Sequence, residues 1–269
     1  MHGTRWGATK LGVVVAIALL AAGPQSVRGQ DHAATAGQAV SDNCTRSTFR
    51  VVVDVGHTLD VPGAMSARGV PEYAFNLQLA REAKQALVDA GFEQTVLLIT
   101  GTAPWRGLFE RAARANAMHA DLFIAIHHDS VPDNLKQIWE YAGQKNEFND
   151  DYPGYAIFIS NDNADRAGSL LFGSMLGHEL ERRNLHYTPH YTLALMGHRR
   201  RILVDADAGV YRYDQLMLEA GSIVNRQEEL ELATPERRSI TSAAIAAAVA
   251  NFCTARSRPP VVKAAVSGH

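Results

Sequence analysis

Val51-Val-Val-Asp-Val-Gly-His57 and Leu122-Phe-Ile-Ala-Ile-His127 decide the fold class of this chain. Each is a short β-branched, apolar run that ends on a histidine. Such runs, bounded by glycine or polar residues, read as strands buried on both faces, the mark of parallel strands in an α/β sheet. Ligands of such sheets gather beyond the carboxyl ends of the strands. His57 and His127 both stand at that edge, where a rigid strand can direct a neutral imidazole at a metal ion. Glu72 lies between them at the head of a helical pattern, and two imidazoles with one carboxylate form a donor set suited to zinc. A single strand-end histidine is more often just hydrogen-bonded. Two at equivalent ends with a carboxylate nearby point to a metal.

Outward from these runs, strand and helix patterns alternate. A Gly- and Pro-containing loop at 58–70 leads to a helix at about 71–90: Pro71 suits its start, Leu79, Ala80, Ala83, Ala86, Leu87 and Ala90 recur at helical spacing, and Gly91 closes it. Glu72 then sits in the first turn, where the helix dipole favours its charge. A strand at 96–99, a helix at 108–118, the strand at 122–126, strands at 155–160 and 215–218 around a helix at 165–183, and an Ala-rich helix at 236–252 complete the pattern. The expected architecture is a single-domain, three-layer α/β sandwich over 47–253, with a mostly parallel twisted sheet and helices on both faces.

The chain has 269 residues, of which 46% are hydrophobic and 20% charged. That suits one sizeable domain with a substantial core. Residues 1–29 carry Arg5 and Lys10, an apolar stretch at 11–22 and no acid, and read as a secretory signal peptide. The apolar stretch is short for a membrane span. Residues 30–46 read as a disordered lead-in and 254–269 as a disordered tail. Loss of the leader takes the formal charge from -2 to -5. A nucleic-acid partner is then not expected, since no net basic field faces phosphate. Cys44 and Cys253 are the two cysteines. Export to an oxidising compartment favours their pairing over the alternative of two buried free thiols, and closing so long a loop stabilises by roughly 5 kcal/mol in the chain-entropy model.

The order of motifs resembles a known family. Residues 51–57, Pro62-Gly63, Gly69-Val-Pro-Glu72, Glu110-Arg111 with Ala115-Asn116, Ala120-Asp121 running into His127, and Leu218-Glu219-Ala-Gly-Ser-Ile-Val-Asn225 follow the zinc-dependent N-acetylmuramoyl-L-alanine amidases of the amidase-3 type. The resemblance spans nearly all of the exported part. It implies Zn2+ held by His57, Glu72 and His127, a general base at Glu219, and hydrolysis of the amide between N-acetylmuramic acid and L-alanine in peptidoglycan, outside the cytoplasm. The chemistry asks for the same types: the three donors leave zinc an open position for water, and a fourth group must accept and return a proton. A zinc carboxypeptidase acting on stem peptides and a non-catalytic peptidoglycan-binding regulator are the competing readings.

Other residues receive lesser roles. Alternation along a strand keeps His128 from sharing an ion with His127, so His128 and Asp129 are read as rim residues touching substrate. Asp54 is read either as an orienting partner of a ligand imidazole or as a cap of the following turn. Arg111 and Asn116 read as packing or local hydrogen-bonding residues, and His186, His190 and His198 as loop or surface residues. The chain departs from the family pattern at Thr58-Leu59, where small glycines are usual, at Ala220-Gly221-Ser222-Ile223, which lacks an aromatic, and over 131–154. In some exported members an insertion at that last point covers the zinc until a partner removes it; placed right after the ligand strand, 131–154 is read either as such a lid, with an activator protein as its partner, or as a solvated surface loop.

Overall fold

The computed structural model describes residues 44–101, 104–160, 163, 165–188, 203–205 and 214–256. The expected leader, the lead-in before Cys44, most of the tail, His190 and His198 lie outside the described residues. The strands are β1 (Val51–Val55), β2 (Val96–Leu98), β3 (Leu122–Asp129), β4 (Gln137–Tyr141), β5 (Gln144–Phe148), β6 (Ala156–Ser160), β7 (Leu203–Asp205) and β8 (Asp214–Ser222). The helices are α1 (Glu72–Asp89), α2 (Pro104–Ala117), α3 (Arg166–Glu181), α4 (Glu228–Leu232) and α5 (Pro235–Arg256).

Among the described residues, six strands form one sheet in the order β2-β1-β3-β8-β6-β7. β1 lies parallel to β2 and to β3, with Val51 opposite Leu122 and Val55 opposite Ile126. β8 continues the parallel run beside β3, and β6 enters antiparallel to β8. The sheet is therefore mostly parallel, as expected. The short strand β7 was not anticipated; its three residues carry too brief a pattern to stand out.

Period-two alternation builds the three layers. Val51, Val53, Val55, Ile124, Ile126, Leu216 and Leu218 join Leu79, Leu87, Phe172, Leu176, Ile245 and Val249 in the main core, so α1, α3 and α5 cover one face. Val52, Phe123 and Ala125 meet Ala112 and Ala115, so α2 covers the other. Asp54 continues the α2-facing row of Val52. By the same count His127 faces α2 and His128 faces α1, a division that governs the site.

Cys44 and Cys253 are joined by a disulfide with Cα atoms 5.2 Å apart. It ties the segment before β1 to the last turns of α5, at the edge of the sheet where β1 begins and away from the edge where His57 follows it.

The segment read as a lid or a surface loop folds as an antiparallel hairpin, β4-β5, with Gln137 opposite Phe148 and Tyr141 opposite Gln144. Its two-residue turn, Ala142-Gly143, has φ of 52 and 76, the left-handed pair that matches the strand twist. Trp139 and Tyr141 stack at 5.4 Å on one face. The Arg68 guanidinium lies 5.3 Å from each of those rings, the Arg226 guanidinium 3.8 Å from the Phe148 ring, and Trp139 Nε1 donates to the Ala67 carbonyl at 2.8 Å. These contacts fasten the hairpin to the loop between β1 and α1 and to the segment after β8.

Candidate metal centre

The first strand ends at Val55, and Gly56-His57 leave it in a turn. A Cβ on Gly56 would stand 2.5 Å from the His127 ring, so glycine here lets the imidazole cross the chain. Gly63, at φ +81, does the same on the other side: a Cβ there would meet Glu72 Oε2 at 2.5 Å and His57 Cδ2 at 2.6 Å. The Pro62-Gly63 pair thus folds the loop over the first turn of α1, where Pro71 precedes the helix with φ -69.

Glu72 receives both imidazoles. His57 Nε2 stands 2.9 Å from Oε2 and His127 Nδ1 stands 3.1 Å from Oε1. One ligand atom from each residue lies within 4.8 Å of the other two. Donors around a tetrahedral zinc with bonds of ~2.0–2.1 Å are roughly 3.3 Å apart, so the set needs only small side-chain adjustments to hold such an ion. Glu72 is held in place by amide donors as well: Ala64 N reaches Oε2 at 3.2 Å, while Asn76 Nδ2 at 3.1 Å and His128 N at 3.3 Å reach Oε1. Burial works against the charge of Glu72, but the hydrogen bonds from His127 and His57 outweigh it and hold the carboxyl below the usual range. The His57 and His127 side chains remain 30% and 18% exposed, so the cluster opens to solvent on one side.

Glu219 lies in β8 directly beside this group, in register with His127. Its Oε2 is buried and has no hydrogen-bond partner among the described residues. Burial pushes its carboxyl well up, and the nearby charges of Asp129 and Glu72 push in the same direction.

Three lesser expectations require revision. His128 is 2% exposed and cannot form a rim. It points to the α1 face, its Nδ1 lies 2.8 Å from Asn76 Oδ1, and burial presses its pKa down to about 3, leaving a neutral ring behind Glu72. Asp129 is 5% exposed, just past an irregularity in the β3-β8 register, and acts on Glu219 through its charge. Asp54 meets a guanidinium in place of an imidazole: Arg111 Nη1 donates to Oδ1 at 2.6 Å and Oδ2 at 2.8 Å. Even so, burial lifts the Asp54 pKa to about 6 against the pull of Arg111.

Sequence reasoning passed over Asn76 and gave Arg111 only a local role. Asn76 had a signal, the i,i+4 spacing from Glu72 on one helix. The part played by Arg111 depends on which face α2 covers. His186 is exposed in the loop after α3, in line with a surface role.

Residues 51–251 match the family model for N-acetylmuramoyl-L-alanine amidase, Amidase_3. The chain is 34% identical over 80 residues to the N-acetylmuramoyl-L-alanine amidase AmiC of Neisseria meningitidis serogroup B, a stretch that is 30% of this chain and 19% of that protein. The match therefore spans about a fifth of that curated relative. The solved structure of the amidase Ami1 from Mycobacterium smegmatis superposes with a TM-score of 0.61 at 18% identity, covering 78% of this chain and 99% of that one. The CwlD amidase of Clostridioides difficile, solved in complex with the GerS lipoprotein, superposes at 0.58 and 15% identity over 77% of this chain and all (100%) of that chain. At these identities the two structures speak for the fold.

Proposed function

The chain belongs to the N-acetylmuramoyl-L-alanine amidase family, and on that premise we propose that it is an exported zinc hydrolase that cuts the amide between the lactyl group of N-acetylmuramic acid and L-alanine in peptidoglycan. The observation that carries this reading is the convergence of His57, Glu72 and His127 within 4.8 Å, with the carboxyl group of Glu219 on the adjoining strand.

His57, Glu72 and His127 would hold the ion, through two imidazole nitrogens and one carboxylate that leave it a net positive charge. What zinc supplies when bound there is positive charge beside the scissile carbonyl and a lowered pKa for water. Glu219 moves the proton: it accepts one as water adds to the carbonyl carbon and returns it to the alanine nitrogen as the C–N bond breaks. Burial first, and the neighbouring Asp129 and Glu72 carboxylates with it, raise its proton affinity, which favours the half of the reaction in which it takes up a proton. Asp129 contributes as one of those neighbours. The products are a free lactyl carboxyl and a peptide with an L-alanine amino terminus.

Export rests on the leader pattern of residues 1–29, and the site of action is then the periplasm or the outside of the cell. No described helix is long and apolar enough to cross a membrane. The catalytic domain is assigned to 47–253. An activator protein belongs to the same proposal in the case that 131–154 is a lid: the segment follows β3 directly, and the CwlD amidase, similar in fold, was solved with a lipoprotein bound.

Digestion of purified peptidoglycan by the mature chain, with and without a chelator, tests the reading by product mass. Peptides beginning with L-alanine plus intact glycan, lost on chelation, are the expected result. Release of a terminal amino acid, or no product at all, overturns it.

A further inference from the structure

His57 has φ 64, in the left-handed region that a non-glycine residue occupies at a cost of about 1 kcal/mol or more. Something must hold it there. Arg111, 5% exposed on α2, reaches the end of β1 with both Nη atoms of its guanidinium. Nη1 spans both Asp54 oxygens and also donates to the Val55 carbonyl, and Nη2 donates to the His57 carbonyl at 2.6 Å.

We infer that Arg111 is a positioning residue for the metal centre: its guanidinium clamps the backbone carbonyls of Val55 and His57 and so holds His57 in the left-handed turn that aims its imidazole at Glu72. This rests on the reading of His57 as a metal ligand. Asp54 anchors the clamp, because its place on the α2-facing row of β1 brings its carboxylate under Nη1. The planar fork is what the site requires. A lysine ammonium supplies the same charge to Asp54, yet it cannot reach carbonyls two residues apart while bridging a carboxylate.

A simpler role for Arg111, neutralising the buried Asp54, predicts a different outcome from the same substitutions. Arg111→Lys keeps the charge, so under neutralisation alone it leaves the site unchanged. Under the clamp it weakens Zn2+ binding by about 10- to 100-fold, the range for groups that support metal ligands from behind. Asp54→Leu with Arg111→Met removes the charge pair and the clamp together without stranding an ion in the core. It also weakens Zn2+ binding by that amount.

The experiment measures the Zn2+ dissociation constant of the mature chain, of both variants, and of Arg114→Lys, an exposed change on the same helix. In the metal-free chains it also records the imidazole NMR signals of His57 and His186. The expected result is weakened binding in both Arg111 variants, parent affinity in Arg114→Lys, and His57 signals that move while those of His186 stay. Dissociation constants within about 3-fold of the parent, or His57 signals unmoved by Arg111→Lys, overturn the clamp. A parent chain that takes up no Zn2+ overturns the metal reading instead, while the His57 signals still decide the clamp.

Discussion

Glu219 stands opposite His127 across the parallel ladder between β3 and β8. Residues in register on neighbouring strands point to the same face, so the carboxyl group and the imidazole are side by side by construction. Glu219→Gln keeps the shape and removes the proton acceptor. We expect amide cleavage to fall by about 10²- to 10⁴-fold, the usual worth of a general base. Bound zinc and melting temperature stay at parent values. Turnover on purified peptidoglycan, with zinc measured in the same samples, checks this. Near-parent turnover removes Glu219 from the mechanism.

Glu72 joins two histidines that are 70 residues apart in the chain, through hydrogen bonds of 2.9 and 3.1 Å. Chelation is expected to abolish activity and added Zn2+ to restore it. Glu72→Ala is expected to weaken zinc binding by more than about 100-fold, since even changes behind the ligands cost 10- to 100-fold. A Glu72→Ala chain that retains stoichiometric zinc after dialysis contradicts the assignment.

The apolar runs of β1 and β3, the alternation that followed them and the helix placing Glu72 in its first turn were all legible in the sequence, because burial on both faces leaves an unbroken apolar run; the ends were not, since β1 stops two residues before His57 and β3 runs on past His127 to Asp129. The β4-β5 hairpin was not, although Ala142-Gly143 between alternating stretches is a turn signal; its mostly exposed strands lack a strong apolar period. At the site, the apolar runs that precede them singled out His57 and His127 as candidates, whereas the burial of His128 follows from which helix covers which face. Arg111 shows the same limit, since its partners Asp54, Val55 and His57 lie 54 to 57 positions away in the chain.

Asn76 is fully buried and links Glu72 Oε1, the Gly56 carbonyl and His128 Nδ1. Asn76→Ala strands two of these polar groups without partners. The expected cost is about 1–3 kcal/mol of stability per unsatisfied group, with zinc affinity lowered about 10-fold as Glu72 loosens. Denaturant unfolding and zinc titration of the same variant measure both. A stability loss with unchanged zinc affinity reduces Asn76 to a packing role.

The disulfide closes a sequence separation of 209 residues at the edge of the sheet remote from His57. Replacing Cys44 and Cys253 by serine is expected to cost about 5 kcal/mol on the chain-entropy account. For a domain of this size that lowers the melting temperature by about 10–20 °C. Zinc affinity and turnover at 25 °C are expected to stay near the parent, because the bond touches neither the loop at 58–70 nor the strand ends that bear the site. Thermal melts and zinc titration under oxidising and reducing conditions separate the two effects.

The hairpin offers two opposed expectations that one deletion resolves. Its place after β3 suits a lid. Its contacts are those of a fixed wall: Trp139 bonds the Ala67 carbonyl, and Arg68 is held between the aromatic pair and Glu229, to which its Nη1 donates at 2.5 Å. These contacts brace the same loop that presents Gly63 to His57 and Glu72. Replacing 137–148 by a short glycine-serine link is therefore expected to lower turnover several-fold and to loosen zinc, by letting that loop move. Trp139→Ala is expected to do the same more weakly. A several-fold rise in turnover of the free enzyme on deletion restores the lid, because only removal of a cover can increase access to imidazoles that are already 30% and 18% exposed.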